Sequence, residues 1–196
     1  MANVKQSFVA QSIDGGVVFA GPAGVLPLPI SAATPLTAQW KALDLGTLSE
    51  DGLSISYTRS SNKVKDFDGA TYLTVQDDFA DGFKATFLDV DNLNLLESVF
   101  GTANVTTSAA TSSHGEQITI FHAPEQLPFQ QAVITVRSGA KRKTYVAEVC
   151  QVSEIAEIKD VYNDATKYEV TWEVLRGSDG KFLKEYRDDG VTTTTP

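Results

Sequence analysis

The sequence is poor in the residues that build redox and metal chemistry, with one cysteine and two histidines among 196 residues. Cys150 alone cannot form an intrachain disulfide, and nothing marks the chain as a small secreted domain held together by cross-links. Val149 and Val152 beside it give the pattern of a buried thiol. So few His and Cys, at spacings that match no four-ligand pattern, exclude a structural zinc site. Positive charge is scarce as well: 16 Lys and Arg face 25 Asp and Glu, for a formal net charge of -9 and a pI near 4.6. That balance argues against binding nucleic acid by bulk phosphate neutralisation, which draws its affinity from clustered cations. Long hydrophobic runs are missing too, and no stretch reaches the about 20 apolar residues of a membrane-spanning helix. Lys5 stands without an apolar core region behind it, so no standard signal peptide is expected, and a reducing cytoplasm is the expected place of synthesis.

Catalytic signatures are equally sparse. There is no Gly-x-Ser-x-Gly elbow and no phosphate loop; His114 lies in a Ser-rich stretch, His122 stands beside Pro124, and Cys150 has no electropositive neighbour to activate it. Asp66 and Asp68 before Gly69, and Asp89 and Asp91 before Asn92, look like fragments of a calcium loop. No register supplies the third oxygen ligand, the glycine and the bidentate glutamate that such a loop needs, so turns and caps are the better reading. Asp77, Asp78 and Asp81 read as a solvated acidic turn, and Lys141, Arg142 and Lys143 as a hairpin tip. The sequence therefore nominates no catalytic residue, no cofactor and no metal.

What is present is a pattern for strands around one helix. Hydrophobic content of 42% and charged content of 21% suit a single folded core, and no seam divides it. The expected domain spans residues 1–190, with an N-terminal arm over 1–12 and a flexible tail over 191–196. Asp91 is placed to cap a helix in which Leu93, Leu96, Val99 and Phe100 form an apolar stripe and Gly101 supplies the exit. Asn92, Asn94, Glu97 and Ser98 give it a polar back. Thr34 before Pro35 is placed to start a short helical turn carrying Trp40 into the core.

Strands are expected where residues alternate. Val17, Val18 and Phe19 form the first, and Leu53, Ile55 and Tyr57 alternate with Ser54, Ser56 and Thr58. Alternation returns over residues 71–76 and again with Phe83, Ala85 and Phe87, then Ile118 with Ile120, then Ala132, Ile134 and Val136. Residues 144–152 are apolar on both faces, as a central strand is. The cleanest alternation sets Tyr168, Val170, Trp172 and Val174 inward against Lys167, Glu169, Thr171 and Glu173, before a last strand around Phe182 and Tyr186. Between two strands the pattern fails: Arg59, Ser60, Ser61, Asn62, Lys63, Val64, Lys65, Asp66, Phe67 and Asp68 are polar without period and read as a long mobile loop. The total is about eight strands, mainly antiparallel, in a β-sandwich or open barrel with one flanking α-helix.

The order of these motifs carries a resemblance. Residues 15–22 (GGVVFAGP), Leu26 with Pro27, Trp40, residues 45–52 (LGTLSEDG), the segment 62–69 (NKVKDFDG), residues 89–93 (DVDNL) with Gly101, and the hairpin from Tyr168 to Tyr186 together resemble the major tail tube proteins of long-tailed (siphovirus-type) phages, notably those of actinobacteria. The resemblance implies six copies closing into a ring, rings stacking into the tail tube, and DNA passing through the lumen without specific binding. It further implies a place in the virion after assembly in the host cytoplasm, with the tape measure protein, tail terminator and distal tail protein as partners. Residues 59–68 would then be an inter-ring or inter-subunit loop. The competing class is a carbohydrate-binding or adhesin-type sandwich, which needs exposed aromatics on one face or a calcium site, whereas the aromatics here are patterned inward. A lipocalin-like binder would need a closed monomeric barrel.

Overall fold

The computed structural model describes residues 6–13 and 15–192, within which ten strands form, all paired antiparallel. They are β1 (Gln11–Ser12), β2 (Val18–Pro22), β3 (Leu48–Lys65), β4 (Thr71–Phe87), β5 (Val105–Ser108), β6 (Gln117–Ile120), β7 (Gln130–Ser138), β8 (Lys141–Ile155), β9 (Tyr168–Val174) and β10 (Lys184–Asp188). Two helices, α1 (Ala38–Lys41) and α2 (Leu93–Phe100), accompany them. β8 organises the main sheet. Its first half lies between β7 and β10, its second half pairs with β9, and β4 and then β3 continue outward from β9. β1 and β2 share the far side of β7.

Inward side chains of the two halves meet in one core. Val18, Ala20, Ala132, Ile134 and Ala147 come from one half, and Phe83, Ala85, Phe87, Val170, Trp172 and Val174 from the other. The result is an antiparallel sandwich with α2 on its flank, as the period-two pattern requires. Trp172 stacks on Phe83 at 4.9 Å and meets Phe87 edge-on at 6.1 Å. Its indole Nε1 donates to Gln130 Oε1 at 3.4 Å, and Ser98 Oγ donates to the same oxygen at 2.8 Å. Gln130 Nε2 returns a bond to Ser98 O at 2.8 Å, so this buried polar group is satisfied. Cys150 is sealed in the same core, where burial pushes its thiol up to about 12.

The second face of β2 and β7 is covered by the proline-rich segment, which buries Phe19, Trp40 and Val133 under Leu26, Leu28, Leu36 and Leu43. Trp40 Nε1 donates to Pro27 O at 2.9 Å. Thr37, not Thr34, caps α1 by accepting from Trp40 N, so Pro35 precedes the helix instead of opening it.

α2 differs from expectation at its cap and along both of its faces. Asn92, not Asp91, is the cap, its side chain accepting from Leu95 N at 3.2 Å, and Gly101 ends the helix at φ 88°. Leu95, Leu96 and Val99 are buried, together with Ser98, while Leu93 is 40% exposed. At about 100° per residue Leu93 falls roughly 140° from the centre of that stripe, which is why it does not join the core. Phe100 is half-buried, 5.1 Å from the ring of His122. The supposed polar back is a clasp: Asn92 and Asn94 donate to Asp44 O at 3.2 and 3.1 Å, and Asn94 donates to Ala42 O at 2.9 Å.

The largest departure is at 59–68. The unpatterned run is no loop: β3 continues through it to Lys65 and returns as β4, with cross-strand pairs from Thr58 with Ala80 out to Lys65 with Thr71. The N-terminal arm is likewise tied down where it is described, since β1 pairs with Val136 and Arg137 and Val9 N donates to Ser138 Oγ. Residues 1–5 and 193–196 lie outside the described residues, so the expected tail is covered only to Thr192.

Candidate functional site

The β3–β4 hairpin leaves the body of the sandwich at Tyr57 and Asp81. Ile55 and Phe83 still pack on the core, whereas residues 57–78 are all exposed. Eight further residues of strand at about 3.3 Å each give an arm of about 26 Å. Its root is held by aromatic contacts: Phe79 meets Phe182 edge-on at 4.8 Å, and the Arg59 guanidinium lies 5.0 Å over the Phe79 ring. Asp81 sits at this root, accepting from Leu183 N at 3.2 Å, and partial burial raises its carboxyl above the usual range. Farther out, Arg59 bonds Gln76 at 3.2 Å and Ser60 bonds Asp77. The tip is a tight turn, with Gly69 at φ 85° and Ala70 N donating to Asp66 Oδ1 at 2.7 Å.

Of the sequence-nominated loop residues, 59–65 thus lie in β3 and Asp66, Phe67 and Asp68 in the tip. Val64, Phe67, Tyr72, Leu73 and Val75 expose apolar surface there, and Val64 pairs with Leu73 across the strands. Sequence reading expected a strand over residues 71–76 from its alternation, as β4 bears out, but did not join it to the run before Gly69 as one arm and so did not nominate Tyr72 and Leu73. β3 is also the outer strand of the sheet, so one row of its backbone groups faces no neighbour.

The outward face of β3, β4 and β9 is a second feature. The register places Ser54, Ser56, Thr58, Lys84, Glu169, Thr171 and Glu173 on it, in a field of hydroxyls and carboxylates. Its one central cation is neutralised, Lys84 Nζ lying 3.1 Å from Glu169.

The two ends of β8 carry opposite charge. Lys141, Arg142 and Lys143 open the strand just past the β7 turn, with Arg137 and Arg187 across from them on β7 and β10. Beyond Ile155 the connection to β9 holds Glu157, Asp160 and Asp164 with Lys159 and Lys167, one carboxylate in excess, and Glu50 and Asp51 lie close enough to act on Lys167.

The remaining candidates do not converge. His114 Nδ1 lies 2.8 Å from Gly115 O in an exposed loop, and His122 stacks on Phe100. Among the described residues no group of three or more His, Cys, Asp and Glu side chains is arranged to hold a metal ion, and no helix is long and apolar enough to cross a membrane. Neither a protein-family model nor a curated protein sequence matches this chain.

Proposed function

We propose that this protein is a self-assembling structural subunit, the major tail tube protein of a long-tailed phage, whose rings stack into a conduit for DNA. The observation that carries the reading is the arm: about 26 Å of hairpin with solvent on both faces has little reason to hold its shape unless another subunit packs on it. The open edge of β3 supports the same reading, since pairing between copies removes such edges when a barrel closes. The hydroxyl and carboxylate face of β3, β4 and β9 suits a lumen wall. The hexameric ring, the virion location and the tail partners rest on the sequence resemblance. Negative-stain microscopy of the concentrated chain tests the proposal, with rings or tubes expected. A chain that stays monomeric at every concentration, by sedimentation as well as by imaging, overturns it.

One observation favours a second reading. Tyr57, Phe67 and Tyr72 are exposed on the arm, contrary to the inward patterning expected for aromatics, and a carbohydrate-binding sandwich would use such rings. Binding to a glycan array that is lost in Tyr72→Ala, with no assembly at any concentration, would favour it.

A further inference from the structure

We infer that copies of this chain join head to tail through the two ends of β8, the acidic β8–β9 connection of one copy seating in the basic groove at the start of β8 in the next. The inference rests on the self-assembly reading and adds a specific contact to it.

The groove has two compartments that share Arg142. One, of about 670 Å³, is bordered by Phe8, Lys143, Arg187 and Asp188. The other, of about 260 Å³, is bordered by Phe19, Asp44, Thr135 and Arg137. In a chain of net charge -9 this is a local excess of cations. Arg137 and Arg142 are cross-strand partners, a like-charge pair that Asp188, across from Arg142 on β10, offsets in part. Thr135 is 5% exposed, and its hydroxyl has no hydrogen-bond partner among the described residues. A carboxylate entering here meets two guanidinium groups, Lys41 and a hydroxyl against the one carboxylate of Asp44.

The opposite end of the same strand offers the complement. The connection after Ile155 carries Glu157, Asp160 and Asp164 around Val161 and Tyr162, both exposed, the tyrosine fully. Lys159 lies 3.3 Å from Glu157 and Lys167 3.0 Å from Asp164, and Asp160 accepts from Thr166 Oγ1 at 2.6 Å, so the surplus of negative charge at this end comes from Glu50 and Asp51, whose charges also act on Lys167. An exposed aromatic on an acidic loop matches a basic groove with Phe8 at its border. A strand of 15 residues separates the two surfaces by up to about 45 Å of chain. Surfaces that are complementary but distinct form a heterologous contact, which propagates into rings or filaments.

The test uses the full chain with two charge-reversed forms, Arg137→Glu with Lys143→Glu, and Asp160→Lys with Asp164→Lys. Each form alone carries one sign at both ends, and sedimentation should show its assembly threshold raised at least about tenfold. Mixed in equal amounts they present opposite ends again, and assembly should return. Tyr162→Ala, a change at a fully exposed loop position that leaves the fold alone, should raise the threshold as well. Circular dichroism verifies that every variant is folded. Wild-type tubes together with unaffected folded variants overturn this contact and leave the assembly reading standing, as does a mixture that fails to recover. Wild-type chain that never associates overturns both, including the case where it binds a polyanion such as heparin as a monomer.

Discussion

At the scale of single residues, buried polar groups other than the Thr135 hydroxyl are paired among the described residues, and the surface charges form short networks. Gln130 shows the first: one amide serves Ser98 and Trp172, so a helix, β7 and β9 are keyed together inside the core. Lys184 shows the second, lying 3.4 Å from Glu148 and 3.1 Å from Asp179. Hydrogen bonds from Ser178, then from Lys184, hold the Glu148 carboxyl below its ordinary value, and Lys184 does the same for Asp179. Both carboxyls are depressed in the folded chain, so their stabilisation is fully present above the ordinary carboxylate range and is lost as pH falls through the folded values. The thermal midpoint should therefore drop as pH is lowered from about 5 toward 3. Glu148→Gln should flatten that drop and lower the midpoint at neutral pH, which calorimetry at several pH values checks. Lys184, raised chiefly by Asp179, contributes in the other direction, its share being lost only as pH rises past the ordinary lysine range.

At the scale of elements, the sequence was legible wherever one face of a strand is buried. In β9, Val170, Trp172 and Val174 are buried as their alternation requires, and Phe83, Ala85 and Phe87 of β4 match them. Legibility ends where burial ends. β3 beyond Tyr57 has water on both sides, so nothing selects apolar residues at every second position, and this half of the hairpin was indistinguishable from a loop although residues 71–76 opposite it alternate. The cap of α2 was displaced by one residue because Asp91 and Asn92 are equally able to cap, and only the clasp to Asp44 selects Asn92. Of the surfaces proposed to assemble, residues 59–68 were nominated through the resemblance, whereas the two ends of β8 were visible only as a hairpin tip and an unassigned polar connection. The arm also makes a sharp prediction. Ser60 and Asp78 are cross-strand partners, so replacing residues 61–77 by Asn-Gly closes the hairpin while keeping Arg59 on Phe79. The shortened chain should melt within about 2 °C of the parent, since the removed residues add nothing to the core. It should fail to assemble, and in the intact free chain amides 60–65 should exchange far faster than those of 83–87. A large loss of thermal stability, or normal tubes from the shortened chain, would contradict the role given to the arm.

At the scale of the whole molecule, charge is segregated in a way that suits transit of a polyanion. Cations gather at the start of β8, where the proposed contact between copies would cover Arg137, Arg142 and Lys143. The broad outward face of β3, β4 and β9 presents Ser54, Ser56, Thr58, Thr171 and Glu173, with Lys84 neutralised by Glu169. Of the strands whose polar faces were candidates for a lumen, two segments, 53–58 and 82–88, lie side by side on this face. The third, 144–152, is split: Thr144, Val146 and Cys150 are buried, and Gln151 continues the face opposite Glu173. A wall of Lys and Arg would hold phosphates with an affinity that falls steeply with salt, and would stall a strand in passage. Carboxylates among hydroxyls repel the backbone at short range and keep a hydrated gap, at a reach of about 8 Å under physiological salt. Assembled protein should therefore show no measurable affinity for duplex DNA at moderate salt in a filter or anisotropy assay. Replacing Glu173 with lysine should create salt-sensitive binding, with Glu169 left in place because it borders the β8–β9 connection that is proposed to join. Tight, salt-sensitive DNA binding by the unmodified tubes would place a basic track on the conduit and remove the electrostatic basis for assigning this face to the lumen.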